Sequence, residues 1–209
     1  MVDGGDVKIS ERVLMTRALK ALVPAILIVG LLGCGGLRYS QLSPEAKDFH
    51  PKRILVLPAD ATTFGEAKAD IDRLFEEVLK EKEWFTDVVG GEQIARRLST
   101  DAELRQIVTE YLVKRDKVHF SDPELSGKIA ALTQTEALLL VQVNYWNYTV
   151  EDDKKLAKVS LGITMIEAKT GKTVWTAVHQ RISDYLLLKP ALPDVARGLI
   201  REMIGYMPH

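Results

Sequence analysis

The chain has 209 residues, 46% of them hydrophobic and 27% charged, a mix that excludes wholesale disorder, collagen and mucin-like stalks. Lys and Arg total 28 against 29 Asp and Glu, a formal net charge of −1, so the basic excess of a nucleic-acid binder is missing. The single cysteine excludes an internal disulfide.

The amino terminus reads as an address. Lys8, Arg12, Arg17 and Lys20 form a positive segment, followed by an apolar run from Ala21 to Leu32. That run suits the hydrophobic region of a signal peptide and falls short of the ~20 residues of a spanning helix. It closes as Leu31-Leu32-Gly33-Cys34, which resembles a bacterial lipobox, with the chain's one cysteine at the modified position. The resemblance implies signal-peptidase recognition through Leu31, Leu32 and Gly33. It also implies lipidation (diacylglycerol plus an acyl chain such as palmitate) on Cys34. Two other readings stand beside it: a cleaved secretory peptide with an unmodified Cys34, and an uncleaved anchor extended through Leu37. Gly35 after the cysteine implies sorting to the outer membrane, facing the periplasm. Met15 offers a more typical start than Met1.

Residues 35–52 hold glycines, prolines and scattered charge without periodicity, which predicts a linker. The domain organisation expected is a signal peptide over 1–33, a lipidated cysteine and flexible tether over 34–52, and one globular domain over 53–209.

From Arg53 the elements follow in order. Ile54 to Pro58 is a buried strand. Thr63 and Glu66 have capping-box spacing ahead of a helix whose apolar face is Ala67, Ile71, Leu74, Phe75, Val78 and Leu79. Asp70, Asp72, Glu76 and Glu77 lie on its opposite, solvated face. Phe85 to Val89 is a second strand, stopped by Gly90-Gly91. A short helix spans Glu92 to Leu98. A capping box at Thr100 and Glu103 opens the next, and Asp122 caps a fourth with Pro123 at its first position. Ala137 to Val143 is almost continuously apolar, whereas Val159, Leu161, Ile163 and Met165 alternate with polar neighbours. Glu151 to Lys155 is a charged hairpin tip, and Gly171 sits in a second turn. Thr173 to Ile182 is the last strand, and a helix from Asp194 to Tyr206 closes the chain. The order predicts an α/β fold: a two-layer sandwich with one mixed sheet of about five strands. The last three strands form an antiparallel meander, and the helices lie mainly on one face.

Three segments resemble a known family: Arg53-Ile54-Leu55-Val56-Leu57-Pro58, Thr135-Glu136-Ala137-Leu138-Leu139-Leu140, and Glu167-Ala168-Lys169-Thr170-Gly171-Lys172-Thr173-Val174-Trp175. They are similar to bacterial lipoproteins built on the domain of the curli secretion component, the Pel-polysaccharide export lipoprotein and the penicillin-binding-protein activator lipoprotein. The resemblance covers about residues 50–207. It implies a non-catalytic outer-membrane lipoprotein whose periplasmic domain binds other envelope proteins in assembly, export or cell-wall synthesis. The alternative is a ring-forming, homo-oligomeric subunit of an export apparatus. A further alternative is an envelope hydrolase, for which Asp60, Asp87 and His119 are the only available groups.

No catalytic motif, metal-ligand spacing or cofactor motif is present, so the reading carries no cofactor and no metal. Two aromatic or apolar stretches are the candidate partner surface. Tyr145 falls on one strand face and Trp146 with Tyr148 on the other. They serve either as core paired across strands with Trp175 or as a partner or membrane-proximal surface. Leu186, Leu187 and Leu188 are either covered by the last helix or an exposed docking segment.

Overall fold

The computed structural model describes residues 38–118 and 120–209. The lipobox residues Leu31 to Cys34, the apolar run before them and His119 lie outside the described residues.

Six strands form one sheet in the order β1-β6-β5-β4-β2-β3. They are β1 (Tyr39–Leu42), β2 (Arg53–Val56), β3 (Asp87–Val89), β4 (Ala137–Glu151), β5 (Lys154–Glu167) and β6 (Thr173–Tyr185). The helices are α1 (Lys68–Glu81), α2 (Gly91–Thr100), α3 (Ala102–Val118), α4 (Pro123–Thr133) and α5 (Leu192–Ile204). Strand β2 runs parallel to both β3 and β4, and the other pairs are antiparallel. The mixed α/β sheet with its carboxy-terminal meander is as expected.

Two features differ from the expectation. The sheet has six strands, because part of the supposed tether pairs with β6, Tyr39 opposite Val178 and Leu42 opposite Trp175. Further contacts fasten this segment. Ser43 N–H donates to Val174 O at 2.9 Å, Ala46 is buried, and the Arg38 N–H donates to His179 Nδ1 at 3.1 Å. That bond leaves the hydrogen on Nε2, which faces Glu202 Oε1 at 3.2 Å. The helices also divide between the two faces. Ile54 and Val56 point into a core with α1 and α5, whereas Leu55 and Leu57 point into a second core with α2, α3 and α4.

The cause is written along β4. Ala137 to Val141 are all buried, because both faces of this stretch are covered. From Gln142 onward only one face stays dry, and the second helical layer ends there. Each fully buried leucine in these cores stabilises by about 1.5–3 kcal/mol.

The acidic face of α1 does more than meet water. Arg197 of α5 donates to Glu77 and, at 3.1 Å, to Glu81, and Arg201 reaches Glu81 at 2.8 Å. Asp72 accepts the Ala59 N–H at 2.7 Å and pairs with Lys68 at 3.0 Å, which pins the chain leaving β2.

Two turns follow from local chemistry. Asp152 and Asp153 take φ of 49° and 63° between the paired residues Glu151 and Lys154, a two-residue hairpin that aspartate tolerates. Gly171 takes φ of 69°, and a Cβ there would lie 3.0 Å from Ser121 O and from Pro123 Cα. The turn after β5 is thus pressed against the start of α4, where Asp122 accepts the Glu124 and Leu125 N–H groups.

Candidate functional site

Where the second helical layer ends, the sheet carries an open groove of about 910 Å³. Its floor is one face of three strands brought into register, part polar and part apolar. Gln142, Gly162 and Val178 align across β4, β5 and β6, and Thr164 and Thr176 form the neighbouring row. Asn144, two residues beyond Gln142, faces the same side, and the bulge between Val143 and Tyr145 shifts the alternation so that Trp146 joins Val143 in the core. The walls are Arg115 and Asp116 from α3 and the Pro58–Thr63 segment leaving β2. Pro58 ends β2, but pairing resumes beyond it: Asp60 N–H donates to Val141 O at 2.9 Å and Val143 N–H to Asp60 O at 2.8 Å. Among the described residues, the side chains of Gln142, Asn144, Thr164 and Thr176 have no protein hydrogen-bond partner, so their donors and acceptors face solvent or a ligand. Sequence reading missed this set. Its signal was the polar residue standing at alternate positions, Gln142 and Asn144 on β4, Thr164 on β5 and Thr176 on β6.

Tyr145 stands beside the groove, half-buried, with its ring 5.7 Å from Phe64 and under the Lys158 ammonium at 5.4 Å. Trp146 points the other way and is 4% exposed, a core residue opposite Val159. Neither pairs with Trp175. That residue lies on β6 with β5 between them, opposite Met165, and donates its indole N–H to Ser40 Oγ at 3.0 Å. Core packing is therefore right for Trp146 and the pairing with Trp175 is not.

Tyr148 shares the face of Trp146 and builds a clasp. Its hydroxyl donates to Pro190 O at 2.9 Å, Lys189 Nζ stands 3.4 Å above its ring, and the Tyr185 ring meets it edge-on at 6.1 Å. Between the clasped ends Leu186, Leu187 and Leu188 are 91%, 96% and 89% exposed. Of the two readings of this segment, the last helix does not cover it.

The groups considered for hydrolysis do not converge. Asp87 opens β3 beside Arg53, to which it pairs at 3.2 Å, whereas Asp60 lies beyond the opposite end of the parallel β2. Asp60 spends its carboxylate on the Thr62 N–H and hydroxyl. Among the described residues no three His, Cys, Asp or Glu side chains are grouped to hold a metal, and no helix is long and apolar enough to cross a membrane.

The chain defines a mixed α/β domain with one half of its sheet bare on one face. No protein-family model and no curated protein matches it. Among solved structures it is similar to the PelC dodecamer from Paraburkholderia phytofirmans. The identity is 17% over 79% of this chain and 92% of that one, with a TM-score of 0.50. Looser likenesses are lipoprotein GNA1162 from Neisseria meningitidis (14% identity, 75% and 100% coverage, TM-score 0.43) and the hypothetical protein CT253 from Chlamydia trachomatis (9%, 73% and 93%, 0.47). At such identities the likeness to PelC is one of fold.

Proposed function

We propose that this chain is a lipoprotein anchored through Cys34 in the outer membrane, whose periplasmic α/β domain acts without catalysis by binding other envelope proteins. The observation that carries the reading is the bare half-sheet. Gln142, Asn144, Thr164 and Thr176 offer unspent hydrogen-bonding groups beside Tyr145 on a rigid floor, the mixture of polar contact and aromatic anchor that suits protein recognition. The sequence Leu31-Leu32-Gly33-Cys34 supports the anchor.

The test compares wild type with Cys34→Ala by intact mass and membrane fractionation. A mature mass beginning at Cys34 with three acyl chains, and release of the variant from the membrane, is the expected result. An unprocessed mass still in the membrane overturns the anchor. Turnover of a peptidoglycan or ester substrate by the purified protein overturns the non-catalytic role.

A second reading, a ring-forming subunit of an export apparatus, is supported by the fold shared with a PelC dodecamer. Sedimentation of the acylated protein in detergent decides it, since a strict monomer at high concentration is incompatible with a ring.

A further inference from the structure

Strand β6 is longer than the strand that covers it. It runs from Thr173 to Tyr185, and β1 pairs only with Trp175 to Val178. Arg38, the next residue toward the amino terminus, leaves the ladder. Its N–H is turned onto the His179 ring at 3.1 Å, and its guanidinium donates to Gln180 Oε1 at 3.1 Å. Beyond that point the outer edge of β6 carries no strand among the described residues.

The ladder fixes which backbone groups this open edge presents. Ser43 N–H donates to Val174 O, so the even-numbered residues of β6 turn their N–H and C=O groups toward the β1 side. The rest of the sheet agrees. Leu57 and Asp60 donate to Leu139 O and Val141 O, which leaves the even-numbered residues of β4 to bond β5 and the odd-numbered residues of β5 to bond β6. Gln180, Ile182 and Asp184 therefore present both backbone groups outward, and their side chains share one sheet face.

Such an edge is a template for another extended chain, and its own residues select a second copy. Two antiparallel copies of β6, related by a two-fold axis through the sheet, keep like faces together. Centred on Ile182, the pairing sets Ile182 opposite Ile182 of the partner subunit and Gln180 opposite the partner's Asp184. Every outward N–H and C=O of the three residues then finds a mate. Centred on Ser183, the pairing leaves Gln180 unbonded. Centred on Arg181, it drives the partner strand into Tyr39, which already lies opposite Val178. The side chains favour the same register. Ile182 is 43% exposed and meets its own counterpart. Among the described residues the Asp184 carboxylate has no hydrogen bond or ion pair, and Arg38 has no carboxylate. The pairing brings the partner's Asp184 to Gln180, where the Arg38 guanidinium rests, so opposite charges close both ends.

We infer that two copies of this chain join edge to edge through Gln180–Asp184 of β6, antiparallel and centred on Ile182, so that their sheets become one. The inference goes beyond the function proposed above. It uses the sheet edge, not the groove, and does not depend on acylation of Cys34.

The experiment is hydrogen exchange of the full chain in detergent over a range of protein concentrations, read at the amides of Gln180, Ile182 and Asp184. Protection is expected to grow with concentration, and Ile182→Pro is expected to abolish it at Gln180 and Asp184. Proline is tolerated there because the N–H it removes faces outward, and circular dichroism checks the fold. Unprotected amides at every concentration overturn the inference. Protection that is unchanged on dilution also overturns it, because the chain then covers its own edge. Charge exchange reads the register independently. Arg38→Asp and Asp184→Arg are each expected to weaken association a few-fold, and the double variant to restore it. Single variants that associate as wild type does overturn the pairing.

Discussion

Trp175 and Ser40 lie 135 residues apart and meet in a 3.0 Å hydrogen bond that fastens the edge strand to the sheet. The indole is 1% exposed, so its N–H has no ready substitute for the serine hydroxyl. Ser40→Ala is expected to cost about 0.5–1.5 kcal/mol, and Trp175→Ala about 3–5 kcal/mol through the cavity as well. Urea denaturation of the two variants checks both, and an Ser40→Ala variant as stable as wild type removes the bond from the account.

Gly171 is held at positive φ against the amino end of α4, with Ser121 O and Pro123 Cα both 3.0 Å from the place of a Cβ. Gly171→Ala is expected to destabilise by roughly 1–3 kcal/mol, from backbone strain and displacement of that end of the helix. Gly65, with nothing within 4 Å of its Cβ position, is the control, and Gly65→Ala is expected to change stability by under about 0.5 kcal/mol. The same denaturation midpoint for both substitutions contradicts the packing described here.

Glu77 is hydrogen-bonded by Arg73 and then by Arg197, and these bonds hold its carboxyl below the ordinary 4.5. The unfolded chain thus binds more protons than the folded one in the window below 4.5. The stabilisation is complete above the unfolded value and is lost as pH falls through the folded one. Glu77→Gln is expected to lower stability near neutrality and to flatten the acid limb of a stability-against-pH curve. An unchanged acid limb excludes the α1–α5 bridge as its source.

Tyr111 behaves in the opposite sense. Burial raises its phenol above the ordinary 10.0, against the hydrogen bond with Ser121 at 2.8 Å. The folded state therefore favours the neutral ring, and its contribution is present below the unfolded value and lost as pH rises toward the folded one. Tyr111→Phe is expected to cost about 0.5–1.5 kcal/mol at neutral pH, for the lost bond. It is also expected to remove part of the alkaline loss, read by denaturation between about pH 7 and pH 11.

Much of this architecture is legible in single residues. The change from Ala137-Leu138-Leu139-Leu140-Val141 to alternation at Gln142 marks where one face of β4 becomes bare. Asp122 caps its helix as its position before Pro123 predicts. Other signals misplace a residue. The cap of α3 is Asp101, whose carboxylate accepts the Leu104 N–H at 2.9 Å, rather than Thr100. Thr63 makes no capping bond, and a short 3-10 turn from Gly65 to Ala67 precedes α1.

Strand β1 was illegible for a physical reason. All four of its residues are exposed, so no buried alternation betrays it, and its stability comes from partners far along the chain. The bare groove was hidden likewise, because strand pairing between separate segments, not the local pattern, brings Gln142, Thr164 and Thr176 together.

The remote partner of β1 also sets an order of events in synthesis. The strand emerges first, yet the β6 residues it needs emerge more than a hundred residues later. Until then the amino-terminal segment waits without its sheet, and the free edge of β6, once formed, is open to any extended chain. Closure of that edge joins segments 135 residues apart, so the time residues 39–42 take to find β6 sets how long the edge stays open to strand exchange with neighbouring chains.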